Sequence, residues 1–127
     1  MKRLLQHIAI LFLSTASMEG QEWSESYLLI TDRGHYISGE ELFFGIHSLH
    51  PESEVISASY YVELIDPRGQ ALLRSKISLG PGGGEGKFLI PDGISSGTYY
   101  LKGYSRWMRN CGVASFSYTS IQVYDPY

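Results

Sequence analysis

Turn signals punctuate this sequence at short intervals, and the residues between them alternate apolar and polar. Asp32-Arg33-Gly34, Asp66-Pro67-Arg68-Gly69 and Pro91-Asp92-Gly93 put Asp, Pro and Gly where tight turns need them. Leu42, Phe44 and Ile46 share one face of Glu41–His47, and Tyr60, Val62 and Leu64 share one face of Ser57–Ile65. A period of two sends successive side chains to opposite sides of a strand. No stretch beyond the N-terminal segment keeps a 3.6-residue apolar period. The pattern predicts strands over Tyr27–Thr31, Glu41–His47, Ser57–Ile65, Gln70–Leu79, Lys87–Ile90, Thr98–Trp107 and Ser115–Tyr124. It predicts loops over Gly80–Gly86 and Met108–Ala114. Short strands separated by turns at such spacing indicate an all-β fold, a seven-stranded antiparallel β-sandwich of the fibronectin/immunoglobulin-like kind. Ten Tyr suit such a chain. In this register Tyr99 and Leu101 face Phe44, Val62 and Leu64 in the core, with Lys102 on the opposite face.

Residues 1–20 stand apart from that pattern. Met1-Lys2-Arg3 is basic, Leu4 to Leu13 is mostly apolar, and Ser14, Thr15, Ala16 and Ser17 are small. This is the layout of a secretory signal peptide. Its uninterrupted apolar run, Ile8 to Leu13, is far short of the roughly 20 residues that span a bilayer. Cleavage after Ala16 and cleavage after Gly20 both fit, and the mature chain then carries no membrane span. The expectation is an exported protein: periplasmic, outer-membrane-associated or secreted. No Cys lies near position 20, so no lipid is attached at a new N-terminal Cys.

Composition removes several function classes. The 127 residues carry a net charge of −3, which argues against a nucleic-acid partner. The single cysteine, Cys111, makes no internal disulfide and no multi-cysteine metal site. Gly86-Lys87 suggests a phosphate loop, but Pro81 and Phe88 stand where that motif needs Gly and Ser/Thr, and no helix follows. His35, His47 and His50 would need Glu52 or Asp32 to complete a zinc site, and surface histidines are the expected reading. Glu40 and Glu41 point to opposite faces of a strand, so they do not form an acid–base pair. Cys111 has Arg106 and Arg109 near it in sequence but no His to act as its base. No catalytic, cofactor-binding or metal site is expected, and the chain is read as non-enzymatic.

One family pattern runs through these segments. Thr31-Asp32-Arg33, Tyr36 and Ser38-Gly39-Glu40 are followed in order by Leu64-Ile65-Asp66-Pro67, Gly86-x-Phe88-x-Ile90-Pro91 and Gly97-x-Tyr99-x-Leu101. This series resembles the N-terminal macroglobulin domain of the alpha-2-macroglobulin family, over about residues 26 to 125. Tyr104-x-x-Trp107-Met108-Arg109-Asn110 resembles the version found in large cell-envelope proteins of Gram-negative bacteria. The residues themselves agree with it: Gly39 suits a turn with φ > 0, and Gly97 before Tyr99 suits a corner where the Tyr99 hydroxyl bonds nearby backbone. The resemblance implies a structural and binding module rather than an enzyme. Cys111-Gly112 is followed by Val113-Ala114, so the thioester of the large inhibitory members is absent. The resemblance leaves open a stand-alone exported domain and a piece of a multidomain relative.

These readings converge on an exported module that makes protein–protein contacts with an envelope or secreted partner. An endopeptidase-inhibitor-type module is the alternative within the resemblance. A carbohydrate-binding module, with Tyr61, Tyr100 and Tyr104 as outward-facing rings, is the alternative from another class. The candidate partner surface is Trp107, Met108, Arg109 and Asn110, because Trp, Met and Arg are enriched at interfaces. Trp107 is expected either to plug the end of the sandwich or to stand at that surface.

Overall fold

The structure is a computed structural model, and it describes residues 26–49, 57–110 and 112–127. The chain runs β1 (Tyr27–Thr31), β2 (His35–Ile37), β3 (Glu41–Ser48), β4 (Ser59–Ile65), β5 (Ala71–Ser78), β6 (Gly83–Leu89), β7 (Gly97–Ser105), α1 (Arg106–Asn110), a 3₁₀ turn at Val113–Ser115, and β8 (Ser117–Tyr124). Two sheets form. One has the order β1-β3-β6, the other β2-β8-β7-β4-β5. Residues 1–20, His50 and Cys111 lie outside the described residues.

The core lies between the sheets and follows the period of two. Leu42, Phe44 and Ile46 from β3 meet Tyr60, Val62 and Leu64 from β4, Tyr99 and Leu101 from β7, and Ile121 and Val123 from β8. Each side chain so buried contributes about 1.5–3 kcal/mol by leaving water. Leu101 pairs directly with Leu64 across β4 and β7, as the alternation requires.

The predicted count of seven antiparallel strands needs correction: the described residues form eight, and one pair is parallel. β2 aligns with the last strand through His35↔Gln122, Tyr36↔Val123 and Ile37↔Tyr124. Its three residues run exposed, buried, exposed, with Tyr36 alone inside, and are too few to establish a period in the sequence. Its partner lies at the far end of the sequence.

The glycine-rich segment is also corrected. Rather than looping to Gly86, the chain enters β6 at Gly83. Gly86 pairs with Phe44, and a Cβ there would lie 2.7 Å from Cζ of Phe44 and 2.6 Å from Cδ1 of Ile77. Gly86 therefore leaves the space that those two core side chains fill.

The free side of β1 is closed by side chains. The hydroxyls of Ser117 and Thr119 on β8 donate to the backbone oxygens of Tyr27 (2.7 Å) and Leu29 (2.5 Å). These bonds occupy an edge that would otherwise offer bare carbonyls to another chain. No helix among the described residues is long and apolar enough to cross a membrane.

Candidate partner-binding face

The first family segment is architectural. The Tyr36 hydroxyl donates to Oδ1 of Asp32, and the backbone N–H of Phe43 donates to the same oxygen at 3.1 Å. The hydrogen bond from Tyr36 holds the Asp32 carboxyl below its usual range, with the Phe43 N–H and the Arg33 charge adding to it. Burial raises the Tyr36 phenol, and its bond to Asp32 raises it further. Glu40 accepts from the Ile37 N–H at 2.6 Å and from Nη1 of Arg33 at 3.2 Å. Gly39 has φ +88°, the left-handed turn conformation that suits a glycine there. The Tyr99 hydroxyl donates to the Ser95 carbonyl at 2.6 Å, which forms the corner before β7. These groups clasp β1, β2 and β3 together, and Asp32 is engaged in that clasp.

His35 and His47 lie exposed on β2 and β3, while His50 and Glu52 lie outside the described residues. Among the described residues, no group of three His, Cys, Asp or Glu side chains could hold a metal ion.

The face that gathers polar, aromatic and charged groups is the outer side of the five-stranded sheet. It is built where β7 ends. Ser105 caps the next turn, its Oγ accepting from the Met108 N–H at 3.1 Å, and the chain becomes helical rather than continuing as strand or loop. The predicted strand through Trp107 and loop from Met108 are both corrected by this helix. Ser105 followed by Arg-Trp-Met-Arg-Asn, with no β-branched residue before Gly112, is the sequence signal for it.

On α1, Met108 is buried and faces the core, so it lies beneath the surface formed by its neighbours. The Ser105 N–H approaches its sulfur at 3.4 Å, and the Ser115 hydroxyl donates to its carbonyl at 3.0 Å. Arg106, Trp107, Arg109 and Asn110 are exposed. Trp107 is 36% exposed, and its backbone N–H donates to Oγ of Ser57 at 3.3 Å. A cleft of about 380 Å³ opens between α1 and the sheet, lined by Ser59, Tyr61, Lys76, Arg106, Trp107 and Asn110. Lys76 and Arg106 are not part of the sequence-predicted partner surface, and Tyr61 is there only as an outward ring of the sugar platform. Arg106 adjoins Trp107 on α1, whereas Tyr61 and Lys76 come from β4 and β5 and reach this surface through the fold.

Beside the cleft, Tyr61 stacks on Tyr104 at 5.6 Å and Tyr104 on Phe116 at 4.8 Å between ring centres. Arg74 lies 4.5 Å over Tyr61, Lys102 lies 5.6 Å from Tyr104, and Arg109 lies 6.0 Å from Tyr104. The Tyr104 hydroxyl donates to Glu63, and burial, reinforced by that bond, raises its phenol above the usual value. Cations over ring faces are attracted by the aromatic quadrupole. The three tyrosines proposed as a sugar platform do not make one flat surface. Tyr104 is buried between its neighbours, and Tyr100 lies four residues back along β7.

No family model and no curated protein matches this sequence. Solved structures do. Escherichia coli alpha-2-macroglobulin activated by porcine elastase aligns with TM-score 0.63 and 14% identity over 79% of this chain. Salmonella alpha-2-macroglobulin reacted with methylamine aligns with TM-score 0.65 and 13% identity over 83%. This chain spans 8% and 6% of the lengths of those proteins. The CARDB domain of a Pyrococcus furiosus protein, in complex with di-metal ions, aligns with TM-score 0.50 and 13% identity over 80% of this chain and 88% of its own. The fold of this chain is that of a macroglobulin-like β-sandwich domain.

Proposed function

We propose that this chain is an exported, non-catalytic macroglobulin-like module that contacts another protein at the cell envelope through the face around α1. The observation that carries the reading is the arrangement of α1. Met108 anchors the helix in the core, and Trp107, Arg106, Arg109 and Asn110 are left outside beside a cleft. A Trp and arginines held on a rigid element are the residue types that dominate protein interfaces. The Met1–Gly20 pattern supports export, and the likeness to bacterial alpha-2-macroglobulins supports a modular role.

The test places a photo-crosslinking residue at Arg109 of the full chain in the cell, with Glu85 on the other sheet as control. A discrete envelope protein crosslinked from position 109 and not from 85 is the expected result. Arg109→Ala should weaken co-purification of that protein while leaving the thermal midpoint nearly unchanged. Equal crosslinking from both positions, or unaltered co-purification, rejects this face.

A further inference from the structure

We propose that the cleft and the outer edge of β5 form one groove that docks an extended acidic polypeptide segment. This inference rests on the reading of the α1 face as a partner surface and names the chemistry of the partner.

Charge is the first support. Arg74, Lys76, Lys102, Arg106 and Arg109 gather on this one side, half of the ten Lys and Arg in an acidic chain. Among the described residues, ion pairs join Arg33 to Asp32 and Glu40, and Lys87 to Glu41, and none involves these five cations. Among the described residues, Glu63 is the carboxylate on this face; it stands across from Arg74 and Lys102 and accepts from Tyr104, which leaves Lys76, Arg106 and Arg109 as the cations without a facing carboxylate. Such a surface favours an anionic partner and rejects a cationic one.

The edge supplies the second support and decides the partner's class. β5 is the last strand of its sheet and eight residues long. β6 covers only its far end, where Gly84 comes against Ile77 and Ser78. Along Ala71–Lys76 the outward side chains are exposed. Alternate N–H and C=O groups of an edge strand point away from its neighbour and pair with an added strand about 4.8 Å away. A polypeptide matches that spacing, whereas a sugar chain or a lipid headgroup does not. An added strand places every second side chain beside Arg74 and Lys76, so alternating carboxylates fit. Past Lys76 the groove opens into the cleft, where Trp107 offers an apolar wall and Asn110 an amide. Main-chain pairing with side-chain selection in pockets is the recognised mode of strand addition.

The test uses the full chain and a fluorescent peptide of alternating Glu and Val. Binding that weakens as salt rises is the expected result. Lys76→Glu and Arg106→Glu should each weaken it by on the order of tenfold, with thermal midpoints nearly unchanged because both side chains are exposed. The same peptide, N-methylated at alternate backbone nitrogens, keeps its charge but cannot pair with the edge, and should bind about tenfold more weakly. Equal binding of the methylated peptide overturns strand addition. Binding of polygalacturonate or of phosphatidylglycerol-containing vesicles with none of the peptide overturns the polypeptide class. Either failure leaves the crosslinking result at Arg109, which tests the face itself, to stand on its own.

Discussion

Tyr60 is fully buried, its hydroxyl has no hydrogen-bond partner among the described residues, and burial pushes its phenol up to about 12. In the unfolded chain the phenol ionises near 10. Between pH 10 and pH 12 the unfolded state therefore loses a proton that the folded state keeps, and stability falls as pH rises. The loss from this residue is a few kcal/mol, since each pKa unit is worth 1.36 kcal/mol. Tyr36 and Tyr104 are shifted in the same direction and add to the loss as pH rises above 10. Tyr60→Phe should be close to neutral at pH 8 and should outlast the parent at pH 11, as read by urea unfolding at both values. A parent and variant that weaken in parallel above pH 10 would show that Tyr60 is reached by solvent. Asp32 works at the other end of the scale. Its carboxyl is held low, so what it contributes is present above its ordinary value near 3.8 and is lost as pH falls through the depressed one.

At the scale of elements, β7 is the test of register. Leu101→Ala removes a side chain buried against Leu64 and should cost about 2–5 kcal/mol. Lys102→Ala on the outer face should cost far less, and denaturant titration of both separates them. A larger cost at Lys102 than at Leu101 would mean that the strand faces are exchanged. The long strands were legible because Leu42, Phe44 and Ile46, or Tyr60, Val62 and Leu64, repeat at every second place. β2 was not, because three residues with one buried ring carry no period, and its partner strand lies at the other end of the chain. β6 was misread because Gly84 and Gly86 leave out the side chains that alternation needs, and they do so to make room for Ile77 and Phe44. Of the candidate surface, Trp107, Arg109 and Asn110 were found from residue type. Lys76 was not, and Tyr61 was legible only as an outward ring, since their nearness to α1 is a product of sheet order.

Across the whole molecule, one apolar core spans both sheets, and the single cysteine offers no internal crosslink. The chain should unfold in a single cooperative transition whose midpoint is indifferent to chelator and to reductant, as followed by circular dichroism. A large drop on chelation would reveal a metal in the fold. The same architecture sets how the domain carries load. Ser117 and Thr119 of β8 bind Tyr27 and Leu29 of β1, so both strands advance in the same direction, and β2 runs parallel to β8 as well. A pull that draws β1 backwards and β8 forwards is met as shear: the bonds between them are strained together rather than parted one after another. The first and last of the described strands thus form a clamp that should bear tension, with force applied through them loading these bonds in shear rather than peeling the sheets apart.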